Sequence, residues 1–476
     1  MNTPNHLTKS ISEYLSDSEY GDAEMFADLF SPNLAYDHSC KKWYIFDKHY
    51  WKEDKTGQVN NAVRFVALEY KRAAAQLEEL DPGSGKDFVR RHDSVLTKQR
   101  IDHILKVASS IPTIGLVGDE WSIPPMCLPV ANGIIDLATG KLVDGKPSDY
   151  INVYSPTDYV GLTYPAPNWE KFISDICGDD NETISFLQRL LGYAITGDTR
   201  EQIMPIFLGE GANGKSSLMD TLRKVLGSAF CFSTQADSLM NTRMSNGEGA
   251  KPFVCALQHK RIVWASESQE GQALNIGLIK QLTGDQNITA RNLYSKPTTF
   301  TPSHVIFLIT NSLPNLQNRG DYAIKRRLPV IPFNIRFVDD PKNPEERKVD
   351  KDLLRKMQNE GPGILAWLVT GASNWQRKGL IPTEASKMAT TNYHINEDVT
   401  GKYIKENLVA GETCDVLFSE IYSDLTSWCD DNGFAPTTKK ELGQKLTQQF
   451  GESYNKTVDG KSYKAYRGIR LYSKKP

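Results

Sequence analysis

Apolar positions change their period several times along this chain. They recur at helical spacing through Val59–Leu80 and Trp169–Thr196, and in short unbroken runs at Ile203–Leu208, Arg261–Ala265, Val305–Thr310 and Leu328–Phe333. Short apolar runs bounded by turn residues are the mark of strands buried on both faces. Their alternation with helical stretches predicts an α/β core with a largely parallel sheet. Upstream, the first ~150 residues read as mixed α+β, by their change of period. Ala23–Phe30 is helical, Lys41–Asp54 is two aromatic-rich strands around a turn, and Pro82-Gly83-Ser84-Gly85 ends the helix of Val59–Leu80. Ala131–Leu142 is a strand and turn. Downstream, Leu353–Gly371, Phe418–Asp430 and Lys440–Phe450 are helical, and Tyr454–Leu471 is a β-hairpin turning at Asp459-Gly460. There are no internal repeats. A chain of 476 residues exceeds one ordinary core, so several domains are expected. The pattern divides it into an α+β segment (1–150), a helical collar or linker (151–200), an α/β core (201–345), a helical segment packing on that core (346–405) and a C-terminal module (406–476).

Composition narrows the classes. With 56 Lys+Arg against 58 Asp+Glu the net charge is −2, which excludes coating nucleic acid by bulk charge. The charge is unevenly spread: residues 437–476 hold ten Lys/Arg against three Asp/Glu. Such a basic tail points to a local nucleic-acid contact, with a solvated surface as the alternative. No apolar run is long enough for a transmembrane helix. The polar, acidic N-terminus lacks the basic start and apolar core of a signal peptide, so a cytoplasmic protein without membrane partners is expected. The seven cysteines form no C-x-x-C pair, which argues against a zinc ribbon or disulfide framework.

The sharpest chemical signal is FLGEGANGKSSL, in which Gly209, Gly214, Lys215 and Ser216 complete G-x-x-x-x-G-K-S. An apolar strand precedes it and an amphipathic helix follows, the context a phosphate loop requires. Its backbone, Gly209, Glu210, Gly211, Ala212, Asn213 and Gly214, can curl N–H groups around phosphates, aided by the helix N-terminus. In this arrangement Lys215 reaches the β- and γ-phosphates, Ser216 ligates Mg²⁺, and Ser217, next on the helix, is a further cofactor-binding residue. The implied cofactors are ATP and Mg²⁺.

The loop alone says only that a nucleoside triphosphate is bound. Three further segments refine it. HKRIVWASES is an apolar strand ending in Glu267, with Glu270 beyond; a carboxylate there can hold Mg²⁺ or polarise water. VIFLITNSLP ends in Asn311, where an amide can sense the γ-phosphate. DYAIKRRLPVIPF sets Arg326 and Arg327 before a strand, and an arginine presented to a neighbour's γ-phosphate stabilises transition-state charge. Between acid and amide, Ile288–Ser303 reads as a hairpin carrying Arg291, Tyr294 and Lys296, suited to tracking a single strand by charge and stacking.

Taken in order, FLQRLLGYAITGDTREQIMPIFLGEGANGKSSL, KRIVWASES, LIKQLTGDQNITARNLYSKPTTFTPSHVIFLITNSLP, RRLPVIPF and GPGILAWLVTG resemble the superfamily 3 helicases, in the phage/plasmid primase-type branch of mobile-element replication. The resemblance covers roughly residues 131–407. It implies an AAA+-like P-loop core assembled as a ring, usually a hexamer, with ATP and Mg²⁺ between subunits and 3′→5′ movement on single-stranded or forked DNA in a bacterial host cell. It places Lys215 and Ser216 at Walker A, Glu267 at Walker B, Asn311 at the sensor, Arg326 or Arg327 at the finger, and Arg291 to Lys296 at the channel hairpin. Ser266-Glu267-Ser268 lacks adjacent acids, so Glu267 acts on metal, on water or on both.

Segment 1–150 resembles the helicase-associated region of that family, and 406–476 its winged-helix domain. In the latter, Lys439, Lys440 and Lys445 fall on or before a recognition-type helix, and Lys464 and Arg467 on the wing, for duplex contact. No clustered carboxylates lie on a strand in the first 150 residues; the D-x-E triplets at Asp17 and Asp22 sit in a helix-like stretch. A helicase lacking its own primase, working with a separate primase or initiator, is therefore expected. The competing readings are a DNA-stimulated ATPase that loads or remodels at an origin, a sequence-specific initiator, and a fused primase–helicase.

Overall fold

The computed structural model describes residues 6–241, 251–266, 272–284, 286–293, 297–316, 322–432, 434 and 437–472. At its centre is a five-stranded sheet in the order Val330–Pro332, Ile206–Leu208, Val305–Thr310, Ile262–Ser266, Cys231–Gln235. Every neighbouring pair is parallel, and helices cover both faces. This explains why the strands are apolar without alternation. Successive residues go to opposite faces. Ile262, Trp264, Val305, Phe307 and Ile331 enter one core, while Val263, Ala265, Ile306, Leu308 and Val330 enter the other.

The first core contains helices Pro167–Ile176, Asn181–Thr196 and Gly361–Lys378. The last two cross almost backbone to backbone. A Cβ at Gly192 would lie 2.2 Å from Ala372 N, and one at Gly371 would lie 2.1 Å from Gln188 O. Glu360 ties the start of Pro167–Ile176 to this pair: its carboxylate accepts from Asn168 N (3.0 Å) and Trp169 N (2.9 Å), filling donors left open at a helix N-terminus.

The N-terminal segment has its own core. Helices Ser18–Phe30, Arg64–Leu80 and Lys98–Ala108 surround Phe26, Tyr70 and Ile104. A sheet runs in the order Tyr50–Glu53, Lys42–Asp47, Leu34–Asp37, Gly115–Leu116 beside it. Asp22, fully buried, accepts from Tyr70 Oη (2.7 Å) and Arg100 Nε (2.7 Å) and pairs with Arg91 (3.2 Å). One D-x-E carboxylate is thus a packed structural charge.

Two expected helices divide, and packing crosses two of the expected segment boundaries. The helix of Val59–Leu80 is two, Gln58–Ala62 and Arg64–Leu80, and Leu353–Gly371 is Leu353–Gln358 followed by Gly361–Lys378. The antiparallel sheet Cys127–Val130, Gly133–Asp136, Lys141–Val143 lies within segment 1–150, yet Leu128, Val130, Ile135 and Leu137 share the core of the central sheet. A cut near 345 would sever the pairing of Arg336–Val338 with Glu346–Lys348.

The C-terminal module packs helices Val399–Asn407, Phe418–Asp431 and Lys439–Phe450 on a sheet ordered Leu408–Leu417, Lys461–Leu471, Tyr454–Val458. Its core holds Tyr403, Leu425, Leu442 and Tyr466.

Candidate functional site

Sheet order decides where chemistry can occur. The strand after the loop helix goes to the edge, and Val305–Thr310 inserts between Ile206–Leu208 and Ile262–Ser266. The carboxyl ends of these three strands therefore meet around the glycine-rich loop, the general ligand position in open parallel sheets. A cleft of about 530 Å³ opens there, lined by residues 211–217, Ser266, Thr310, Asn311 and Ser312, within the usual size of a small-molecule pocket.

The loop is held open by local constraints. Gly211 (φ +109°), Ala212 (φ +48°) and Gly214 (φ +81°) are left-handed. Ala212 tolerates this costly geometry because its carbonyl accepts from Phe337 N at 2.7 Å. Gly209 cannot carry a side chain: a Cβ would lie 2.1 Å from Asn213 Nδ2 and 2.6 Å from Phe333 O. Gly214 precedes helix Lys215–Phe230 and supplies no side-chain cap, so the first-turn N–H groups stay available to an anion.

Lys215 is 4% exposed. Its ammonium donates to Gly209 O (2.6 Å) and Asn213 Oδ1 (2.9 Å), both neutral acceptors. Burial pushes its pKa down to about 8. A buried cation surrounded by neutral acceptors and open N–H groups fits a polyphosphate. Ser216 and Asn311 are exposed into the same cleft, and Glu210 is exposed on the loop. A second cleft of about 400 Å³ shares Ser216, Ser266 and Ile309 and adds Asp220, Arg223 and Gln235. Glu267 and Glu270 lie outside the described residues; the strand leading to them delivers Ser266 to the cleft.

The paired arginines are not equivalent. Arg327 is 8% exposed and donates to Thr283 Oγ1 (3.1 Å), Ala323 O (2.8 Å) and Gln202 Oε1 (3.0 Å). Arg326 is exposed and donates to Gln202 Oε1 at 2.6 Å. Only Arg326 is presented outward. Gln202, which meets both, carries no local sequence signal; Ser266, Thr310 and Ser312 are likewise site residues that no motif singled out.

The expected hairpin forms between Ile288–Ala290 and Thr298–Phe300. Ile288 and Phe300 anchor it in the second core, while Arg291 and Leu293 are exposed towards its tip. Tyr294 and Lys296 lie outside the described residues.

In the C-terminal module Lys439 and Lys440 are exposed. Lys439 sits 5.1 Å from the Tyr422 ring, Lys464 5.4 Å from Phe418, and Arg467 4.2 Å from Tyr454. Lys445 is turned back onto Asp398 in a half-buried ion pair.

Residues 23–178 match the family model described as D5 N terminal like, and residues 207–327 match a family of unknown function (DUF5906). A protein of Acanthamoeba polyphaga mimivirus whose name carries the word helicase is 27% identical over 69% of this chain and 35% of its own length. A protein of African swine fever virus whose name carries the word primase is 24% identical over 74% of this chain and 38% of its own length. The matches thus span little more than a third of these relatives. The apo structure of the NrS-1 C-terminal region covers 91% of this chain and 95% of its own, at 13% identity and a TM-score of 0.47; so loose a likeness carries no argument. No helix among the described residues is long and apolar enough to cross a membrane.

Proposed function

We propose that this chain is an ATP-driven DNA motor of the helicase type, acting in viral or mobile-element replication. One observation carries the reading. A buried Lys215, held by two neutral acceptors, sits in a strained glycine-rich loop where three parallel strand ends converge, with Ser216 and Asn311 facing the same cleft. The names of the viral relatives, helicase and primase, support a replication role.

In this reading Lys215 and the open N–H groups of residues 211–216 hold the triphosphate by charge and hydrogen bonding. Ser216 and Glu267 are the groups that would hold Mg²⁺. When bound with ATP, the metal would offset the negative charge of the phosphates. Asn311 reports on the γ-phosphate end of the cleft. Arg326, outward-facing and steadied by Gln202, is the arginine offered to a neighbouring copy's cleft in a ring, and Arg327 braces it from inside. The hairpin of Ile288–Ala290 and Thr298–Phe300 carries Arg291 towards single-stranded DNA. The C-terminal module contacts duplex.

ATP hydrolysis by purified protein, with and without single-stranded DNA, tests the reading. DNA-stimulated turnover lost in Lys215→Ala supports it; a protein that neither binds nor hydrolyses ATP refutes it. A second reading, a motor that works as part of a larger primase–helicase, is favoured by the primase name of a relative more than twice the matched length. Priming on a single-stranded template by a chain of the relatives' full length distinguishes it.

A further inference from the structure

Helix Lys439–Phe450 buries Leu442, Gly443 and Leu446, which leaves the opposite side free. Along that side Lys440, Gln444 and Gln448 are all exposed. Their i, i+4 spacing sets them one above another on a single stripe. Neither glutamine makes a side-chain hydrogen bond within the described residues. Lys445, the next cation along the helix, is held by Asp398, so the stripe is one charge followed by two free amides.

The wing closes on the same helix at Gly443, on its buried side. Strands Tyr454–Val458 and Lys461–Leu471 pair in register around the Asp459-Gly460 turn. Lys464 reaches across to the helix: its Nζ would lie 3.8 Å from a Cβ at Gly443. Tyr466 Oη fixes the same junction by donating to Gly443 O at 3.1 Å. Exposed Lys439 and Lys440 stand at the start of this helix, and exposed Lys461, Lys464 and Arg467 lie on the wing packed against it. That charge complements a phosphate backbone.

A glutamine amide projected into the major groove accepts from adenine N6 and donates to adenine N7 together, a pairing that no other base offers. Phosphate contacts from lysines set register but read no sequence. We infer that Gln444 and Gln448 read adenine edges in the major groove of duplex DNA, giving the module a preference for A·T-containing sites, while Lys440 and Lys464 supply sequence-independent affinity. The inference rests on the duplex-contact reading of the C-terminal module and is independent of the ATP-driven motor.

The test is fluorescence anisotropy with full-length protein, without nucleotide, on short blunt duplexes at fixed salt. One duplex is all A·T, one all G·C, and one A·T with 7-deazaadenine, which removes the N7 acceptor and leaves base pairing intact. Wild type is expected to favour the A·T duplex over the G·C duplex by roughly tenfold or more and to lose that preference on 7-deazaadenine. Gln444→Ala/Gln448→Ala should bind all three at the wild-type G·C level, with an unchanged thermal midpoint to show that the module is folded. Lys440→Ala should weaken all three together and flatten the salt dependence. Equal wild-type affinity for A·T and G·C overturns the inference, as does a preference that survives 7-deazaadenine or the double glutamine variant. Absence of any duplex binding overturns it too, and leaves ATP-driven strand separation to be judged by its own assay.

Discussion

Raising the pH should loosen nucleotide binding through Lys215, and the size of the effect follows from its burial. In the empty cleft its pKa is pushed down to about 8. Bound phosphate supplies a counter-charge and favours the charged form, so nucleotide binding takes up a proton where the empty site has lost it. Roughly nine-tenths of the lysine is charged at about pH 7 and roughly one-tenth at about pH 9, so ADP affinity should fall about tenfold across that span, about 1.4 kcal/mol. The effect on folding has the opposite sign. Between about 8 and the ordinary lysine value the unfolded chain holds a proton the empty fold lacks, so the burial cost is full below about pH 8 and fades as pH rises. ADP titrations by calorimetry in two buffers of different ionisation heat read both affinity and proton uptake. Near pH 8, uptake of about half a proton is expected, absent in Lys215→Met. Flat affinity from about pH 7 to 9 with no proton uptake would show that the lysine is already fully charged in the empty loop, contrary to this reasoning.

Four further outcomes follow from the geometry. Gly214→Ala places a Cβ 2.6 Å from Ile176 Cγ2 at φ +81°; it should cost about 1–3 kcal/mol in stability and abolish nucleotide binding, read by thermal unfolding and ADP titration. Arg326→Ala should fold and bind ATP normally but hydrolyse it about a thousandfold more slowly, and mixing it with Lys215→Ala should restore part of the turnover if the arginine serves a neighbour's site. Arg327→Ala should instead lower the thermal midpoint, by about 2–4 kcal/mol in stability. Gly197→Ala should be among the most destabilising single changes, since at φ +74° its Cβ would fall 1.5 Å from the fully buried Arg261 guanidinium; a melting curve like wild type's would argue against that packing.

The glycine-rich loop and its place between strand and helix were legible because the signal is local: glycine spacing, a preceding strand and a following helix all lie within about two dozen residues. The buried strands were legible for the same reason, since burial on both faces removes the period-two alternation. What could not be read is non-local. Nothing in VIFLITNSLP says that it inserts between Ile206–Leu208 and Ile262–Ser266, because parallel pairing joins segments far apart in the chain. Cys127–Val143 looked like part of the N-terminal segment because its partners in the core, among them Trp169 and Leu187, come later in sequence. Arg326 and Arg327 are adjacent and chemically identical; only Thr283 and Gln202, 44 and 125 residues from Arg327, select which one turns inward. Lys445 was read as a DNA contact from its place on the helix, and Asp398, well upstream, claims it.

Strand separation of a labelled forked duplex by the purified chain with ATP and Mg²⁺, beside Lys215→Ala, decides whether the chain is a motor. Wild type should separate the strands, the variant should not, and separation should depend on a single-stranded tail. Robust DNA-stimulated ATP hydrolysis with the fork left intact under every tail arrangement would contradict it and make the chain a loader or remodeller.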